Sequence, residues 1–172
     1  YLTSELTSYF IKISSATQSA DDEELIGSLH HVVNDIERLG DYAMLLNKET
    51  NDLKKRELKF SIQTKEELGQ IYRQITEMFD LGFDTFQKRE VGNFKQISTV
   101  HKKIIKSISK TRNEHVIRLN TGICSPEVSK NIYSVLFSLQ RISEHFLNIS
   151  YSIRSTTGDE VEALQAFERE AK

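Results

Sequence analysis

The sequence has little of what breaks or cross-links a chain. Among 172 residues there are one proline, seven glycines, one cysteine and no tryptophan. So few prolines and glycines favour a small number of long helices over many short strands. The lone Cys124 cannot form a disulfide within these residues, which is typical of a reducing compartment. No stretch of eighteen apolar residues and no secretory signal pattern occurs, so we expect no membrane-spanning helix here.

What the chain does contain is the ordinary balance of a globular domain. Hydrophobic residues make up 38%, charged residues 28%, and the net charge is −2. At this length one domain around one core is expected. A basic run covers residues 88–118, with nine lysines and arginines against two glutamates. Its lysines are not interleaved with aromatic residues, so we expect no nucleic-acid partner.

Helical periodicity and capping signals predict five helices. The predicted caps are Asp21, Thr64, Asn93 and Ser125, and Gly122 is placed where the fourth helix stops. Long amphipathic helices with short connections predict an all-α fold, an antiparallel bundle of long helices. The predicted helices cover residues 2–16, 21–55, 64–89, 93–122 and 125–154, with a short helical tail at 159–172.

Two segments of the chain resemble each other. Residues 32–46 (VVNDIERLGDYAMLL) align with residues 135–149 (VLFSLQRISEHFLNI), an offset of 135 − 32 = 103. Arg38 then falls on Arg141, and Asp41 falls on Glu144. Two interpretations stay open: the chain contains two related helical units, or two amphipathic helices align because apolar periodicity is permissive.

The second predicted helix combines a core face with an unusual number of charges. Its predicted apolar face consists of Leu25, Leu29, Val32, Ile36, Leu39 and Ala43. At 100° per residue, a second stripe at the edge of that face consists of His30, Asn34, Glu37 and Asp41.

Two interpretations of this stripe stay open. One is a surface ion-pair arrangement in which Arg38 relieves the repulsion between Glu37 and Asp41. The other is a cation site, because carboxylate, amide and imidazole groups on adjacent turns are ligands for iron, zinc, manganese or magnesium. Gly40 costs about 1 kcal/mol relative to alanine inside a helix, which predicts that another helix or a ligand approaches it closely.

The segment DIERLGDYA, residues 35–43, resembles the signature of the PhoU family, whose helices carry ERIGDHA. The opening YLTSELTSYFIKISS followed by VVNDIERLGD is most similar to the PhoU-like region at the cytoplasmic C-terminus of bacterial sodium/phosphate cotransporters. The resemblance covers residues 1–154. It implies one domain, 1–172, built from two three-helix repeats, the first truncated, at about 1–58 and 62–156.

The same resemblance assigns roles within the motif. It implies that Glu37 and Asp41 are metal ligands and that Gly40 permits close packing, while His30 and Asn34 join them only from the stripe. The second copy departs from the motif, because Gln140 replaces the acid and Glu144 replaces the aspartate. Glutamine has no anionic charge, so we expect no second metal site.

The resemblance also implies a function. The chain is expected to be a regulatory domain of a sodium-dependent phosphate transporter, on the cytoplasmic side of the cell membrane, where it modulates phosphate uptake by binding. Its partners would be the transporter portion of the same chain and, through a basic face, the cytoplasmic face of the membrane. Since the sequence starts inside a helical pattern at Tyr1, we expect a longer parent chain. The basic face consists of Lys95, Lys102, Lys103, Lys106 and Lys110. Two interpretations of it stay open: a solvated lysine face, or a surface for anionic headgroups or an acidic partner.

Two alternatives remain at this point. The chain is either a stand-alone PhoU-type regulator of a phosphate uptake ATPase and its sensor kinase, or a structural helical bundle that binds a partner. An enzyme is not expected, because glycine-rich phosphate loops, nucleophile elbows and Glu-x-x-His pairs do not occur in the sequence. We expect a homo-oligomer, because Leu2, Leu6 and Tyr9 form an apolar surface without a partner helix.

Overall fold

The computed structural model describes residues 2–16, 19–88 and 93–152. Within these ranges the chain forms five α-helices and no strand, which confirms the predicted all-α fold. The expected tail at 159–172 lies outside the described residues. The helices are α1 (Leu2–Ser14), α2 (Ala20–Lys55), α3 (Ile62–Lys88), α4 (Phe94–Asn120) and α5 (Ser129–Tyr151), with a single 3₁₀ turn, Pro126–Val128, before α5.

The helix ends lie close to their predicted places, but two of the predicted caps are wrong and a third caps a different turn. Helix α2 begins at Ala20, so the predicted cap Asp21 lies inside the helix. Ser125 Oγ accepts the backbone N–H of Glu127 at 3.3 Å, but the turn that it caps is 3₁₀ and leads into α5. Gly122 follows α4 with a φ of +72°, a conformation that favours glycine. The predicted cap Thr64 is wrong: it is buried inside α3, and Ser61 Oγ accepts its backbone N–H at 3.2 Å.

The core lies among α3, α4 and α5. Each neighbouring pair in the chain runs antiparallel: Glu67 of α3 reaches Arg118 near the end of α4, and His115 of α4 reaches Ser129 at the start of α5. Both nitrogen–oxygen contacts between Arg118 and Glu67 measure 2.8 Å, a bidentate geometry that fixes the pair. The fully buried aliphatic side chains of this core are Ile71, Ile97, Ile104, Ile108, Ile132 and Leu136, together with Met78.

Helix α2 packs along the outer side of α5. Asp35 contacts His145 and Glu49 contacts Asn131, so the two helices are antiparallel. Since α5 ends at Tyr151, six residues after His145, residues 20–28 of α2 reach beyond the end of α5. Helix α1 packs against α2 and buries none of its own residues completely. None of the described helices combines the length and the apolar character needed to cross a membrane.

Candidate functional site

The side of α2 that faces α5 coincides with the predicted apolar face only at Val32 and Leu39. Residues at alternating spacings of three and four are turned towards α5, the repeat expected where one helix follows another. Ile36, at the centre of the predicted apolar face, is 55% exposed, and Leu25 is 47% exposed. The prediction was wrong because it ranked positions by apolarity, whereas polar positions here find partners on α5. The buried and half-buried positions of this seam are Val32, Asp35, Leu39, Tyr42, Leu46, Glu49 and Leu53.

A carboxylate is buried near the C-terminal end of this seam. Glu49 is only 7% exposed, and its oxygens accept hydrogen bonds from Asn131 Nδ2 at 2.7 Å and Ser134 Oγ at 2.9 Å. Asn131 Nδ2 also donates to Asp52 at 3.0 Å. The hydrogen bonds from Asn131 and then Arg56 lower the pKa of Asp52, so this carboxyl group stays ionised at neutral pH. These contacts join the end of α2 to the start of α5.

A second polar group lies at the middle of the seam. His145 Nδ1 donates to Asp35 Oδ1 at 2.8 Å, and both side chains are buried. The ring of Tyr42 stacks on His145 with centroids 5.7 Å apart. Nε2 of His145 is also buried, yet it has no hydrogen-bond partner among the described residues. A buried ring nitrogen without a partner is uncommon in proteins and calls for a specific explanation.

Next to this histidine, Arg141 is held by two neighbours. Its Nε donates to the Tyr42 hydroxyl at 3.3 Å, and its Nη1 donates to Glu144 at 2.6 Å. The hydrogen bonds with Tyr42 and then Glu144 raise the pKa of Arg141 above its ordinary value. Glu144 also accepts from Gln140 Nε2 at 2.9 Å. Both oxygens of Glu144 therefore have partners within the second copy of the motif.

An open cleft of about 360 Å³ lies between α2 and α5 at this point. Arg38 and Arg141, which the internal alignment superimposes, both line it. They meet because α2 and α5 run antiparallel, so positions near the middle of the two aligned segments approach each other. The other lining residues are Asp41, Tyr42, Leu45 and His145.

The four predicted metal-binding residues lie along α2, but they do not converge. Asn34 Nδ2 lies 3.0 Å from His30 Nδ1, so these two side chains contact each other. Glu37 and Asp41 are exposed, not at the edge of the core as expected. Asp41 lies 41 − 30 = 11 positions after His30, a rise of about 16.5 Å at 1.5 Å per residue, which is too far for one ion to contact both.

The donor set is therefore incomplete for a metal ion. Glu37 and Asp41 provide two carboxylates, whereas a hard divalent cation takes about six oxygen ligands. In the part of the chain that the structure describes, no three histidine, cysteine, aspartate or glutamate side chains are placed to hold a metal. Two guanidinium groups also line the cleft beside Asp41. Metal binding at Glu37 and Asp41 stays a prediction, and these neighbours do not favour it.

Close packing at Gly40 is contradicted. A Cβ added there would meet nothing within 4 Å, because this side of α2 faces away from α5. The close approach occurs instead at Gly82 of α3, where an added Cβ would lie 2.4 Å from Phe146 Cε1. The sequence assigned the constraint to Gly40 because glycine is costly inside a helix and because the resemblance to the PhoU motif implies close packing there.

Sequence reasoning also missed Asp35, Glu49 and His145. A usable signal was present, since Asp35, Tyr42 and Glu49 are each seven residues apart.

Comparison of the chain with protein-family models, with curated proteins and with solved structures finds no match. The features of this chain that bear on its function are therefore the segment at residues 35–43 and the geometry of the cleft.

Proposed function

We propose that this chain is a regulatory domain of a sodium-dependent phosphate transporter that modulates phosphate uptake by binding. The observation that carries the proposal is the position of the PhoU-like segment. Arg38 and Asp41 of that segment line an open cleft and form no hydrogen bond or ion pair within the described residues. Charged side chains left without protein partners in a concave site are suited to a ligand or a partner.

The packing of α2 suits a regulatory role. Among the described elements α2 has its main contacts with α5 and α1, and its seam with α5 holds buried polar groups. A ligand in the cleft touches both helices, so it changes the free energy of their packing. Regulation needs only a difference in affinity between two states, and a tenfold effect corresponds to about 1.4 kcal/mol.

The basic face supplies a second contact surface. Lys95, Lys103 and Lys106 are exposed on α4, a helix that packs against α3 and α5 and does not line the cleft. Clustered lysines attract anionic lipid headgroups, each contributing about 1 kcal/mol near such a surface. We propose that this face lies towards the cytoplasmic leaflet or the cytoplasmic loops of the transporter.

The test is phosphate uptake by cells that express the full-length parent or a version cut before Tyr1, at matched abundance in the membrane. We expect the cut version to respond differently to phosphate starvation and excess. The control is a parent carrying Lys48→Gln, an exposed change on α2 outside the cleft. Equal rates and equal responses for all three would contradict regulation and leave the structural-bundle alternative.

A further inference from the structure

The cleft between α2 and α5 has the chemistry of a site for a protonated oxyanion. We propose that it binds inorganic phosphate, held by the guanidinium groups of Arg38 and Arg141 and by the ring of His145. Asp41, on the rim of the same cleft, accepts a hydrogen bond from the proton that the phosphate carries. The biological meaning of this site rests on the proposed function, while the binding itself is a property of the purified chain.

The two arginines supply the positive charge. A guanidinium presents its N–H donors in a planar fork that matches two oxygens of a phosphate. Arg141 engages Tyr42 and Glu144 through Nε and Nη1, and its Nη2 has no hydrogen bond among the described residues. Arg38 is exposed and has no protein partner in the described part of the chain. Both therefore keep donors for an anion between them.

His145 provides the observation that is independent of charge. Its Nδ1 is bonded to Asp35, so only Nε2 remains, and this atom is buried without a partner among the described residues, in a side chain that lines the cleft. Because Nδ1 donates its proton to Asp35, Nε2 is left to accept the proton that a phosphate oxygen carries. An anion oxygen at this position satisfies the nitrogen that the protein itself leaves unsatisfied.

Asp41 decides which oxyanion fits. A carboxylate repels an anion that has no proton, such as sulfate, but it accepts a hydrogen bond from a P–OH group. Inorganic phosphate keeps at least one proton at neutral pH, whereas a phosphate monoester, with a pKa near 6, has largely lost it. A volume of about 360 Å³ falls at the lower end of small-molecule sites, which run from about 300 to 1,000 Å³.

The experiment is calorimetric titration of the purified chain with inorganic phosphate, sulfate and glycerol phosphate at constant ionic strength. We expect saturable binding of phosphate and binding of sulfate and the ester weaker by at least about tenfold. Arg38→Gln should weaken phosphate binding by about tenfold or more, because a charge-assisted contact is lost. The matched control Lys48→Gln removes the same charge from an exposed position of α2 and should keep the wild-type affinity.

Asp41→Asn tests the selectivity separately. Without the carboxylate, sulfate should bind as well as phosphate, since the repulsion is gone. The proposal is overturned if phosphate does not bind, if wild-type protein binds sulfate equally, or if Lys48→Gln weakens binding as much as Arg38→Gln. Binding that requires magnesium or zinc would also overturn it, in favour of a metal at Asp41. Phosphate uptake by the parent is measured separately from phosphate binding by the purified chain. The proposed regulation and the proposed binding site can therefore each be refuted without the other.

Discussion

The buried hydrogen bond between Glu49 and Asn131 offers the sharpest test of how α2 is held on α5. Glu49 is 7% exposed and Asn131 is fully buried, with Nδ2 and Oε2 at 2.7 Å. A hydrogen bond to a charged group contributes about 1.5 to 3 kcal/mol net to stability. A buried polar group that loses its hydrogen-bond partner costs about 1 to 3 kcal/mol. Glu49→Leu removes the acceptor for Asn131 and Ser134 at once. We expect the free energy of unfolding to fall by about 2 to 4 kcal/mol.

A double-mutant cycle isolates the bond from the other effects of each change. Asn131→Ala leaves Glu49 with Ser134 alone and should cost about 2 kcal/mol. Once either partner has been replaced, replacing the other costs less stability. The double variant should therefore lose about 1 to 2 kcal/mol less than the sum of the two single losses. Urea unfolding of the purified chain, followed by helical circular dichroism, measures all four proteins.

The control is the same substitution at an exposed glutamate, and the refuting result is additivity of the two single losses. Glu66 is exposed on α3, so Glu66→Leu should change stability by less than about 0.5 kcal/mol. If the costs of Glu49→Leu and Asn131→Ala add to within about 0.5 kcal/mol, the bond does not contribute to stability. Apolar packing alone would then hold α2 on α5, and the buried polar groups of the seam would not stabilise the contact.

Three further predictions concern Gly82, Gly40 and the dependence of stability on pH. Gly82→Ala should destabilise by up to about 2 kcal/mol, because overpacking against Phe146 costs about 1 to 3 kcal/mol while helix propensity returns about 1 kcal/mol. Gly40→Ala should stabilise by up to about 1 kcal/mol in the same urea assay, and a loss of stability there would contradict the open surface. Burial, then the charge of Arg118, lowers the pKa of His115 below its ordinary 6.5. The unfolded chain therefore binds the proton more readily, so stability should fall as the pH drops below about 6.5. His115→Gln should flatten that part of the profile, and an unchanged slope would exclude this histidine as its source.

Local sequence determined the helices of this protein. Capping residues and apolar spacing act within a few residues, which is why the number of helices and most of their ends were predictable. The same locality explains His115, which lies among the core-facing positions of α4. It is fully buried and bonds to Ser129 at 3.1 Å. Glu37 and Asp41 were named from the segment alone, but their predicted place at the edge of the core was wrong, because both are exposed.

Tertiary structure decided which side of α2 is buried. Ile36 and Leu39 both belong to the predicted apolar face, yet Leu39 is half-buried in the seam and Ile36 is 55% exposed, so periodicity did not locate the boundary of the buried side. Which side of α2 is buried depends on α5, about a hundred residues away along the chain. Polar side chains of α5 form hydrogen bonds with the polar positions of α2. Asp35 and Glu49 can be buried only because those partners offset the loss of water. The convergence of Arg38 and Arg141 has the same origin, because only antiparallel packing brings the two aligned segments together. The partners on α5 are Asn131, Ser134, Arg141 and His145.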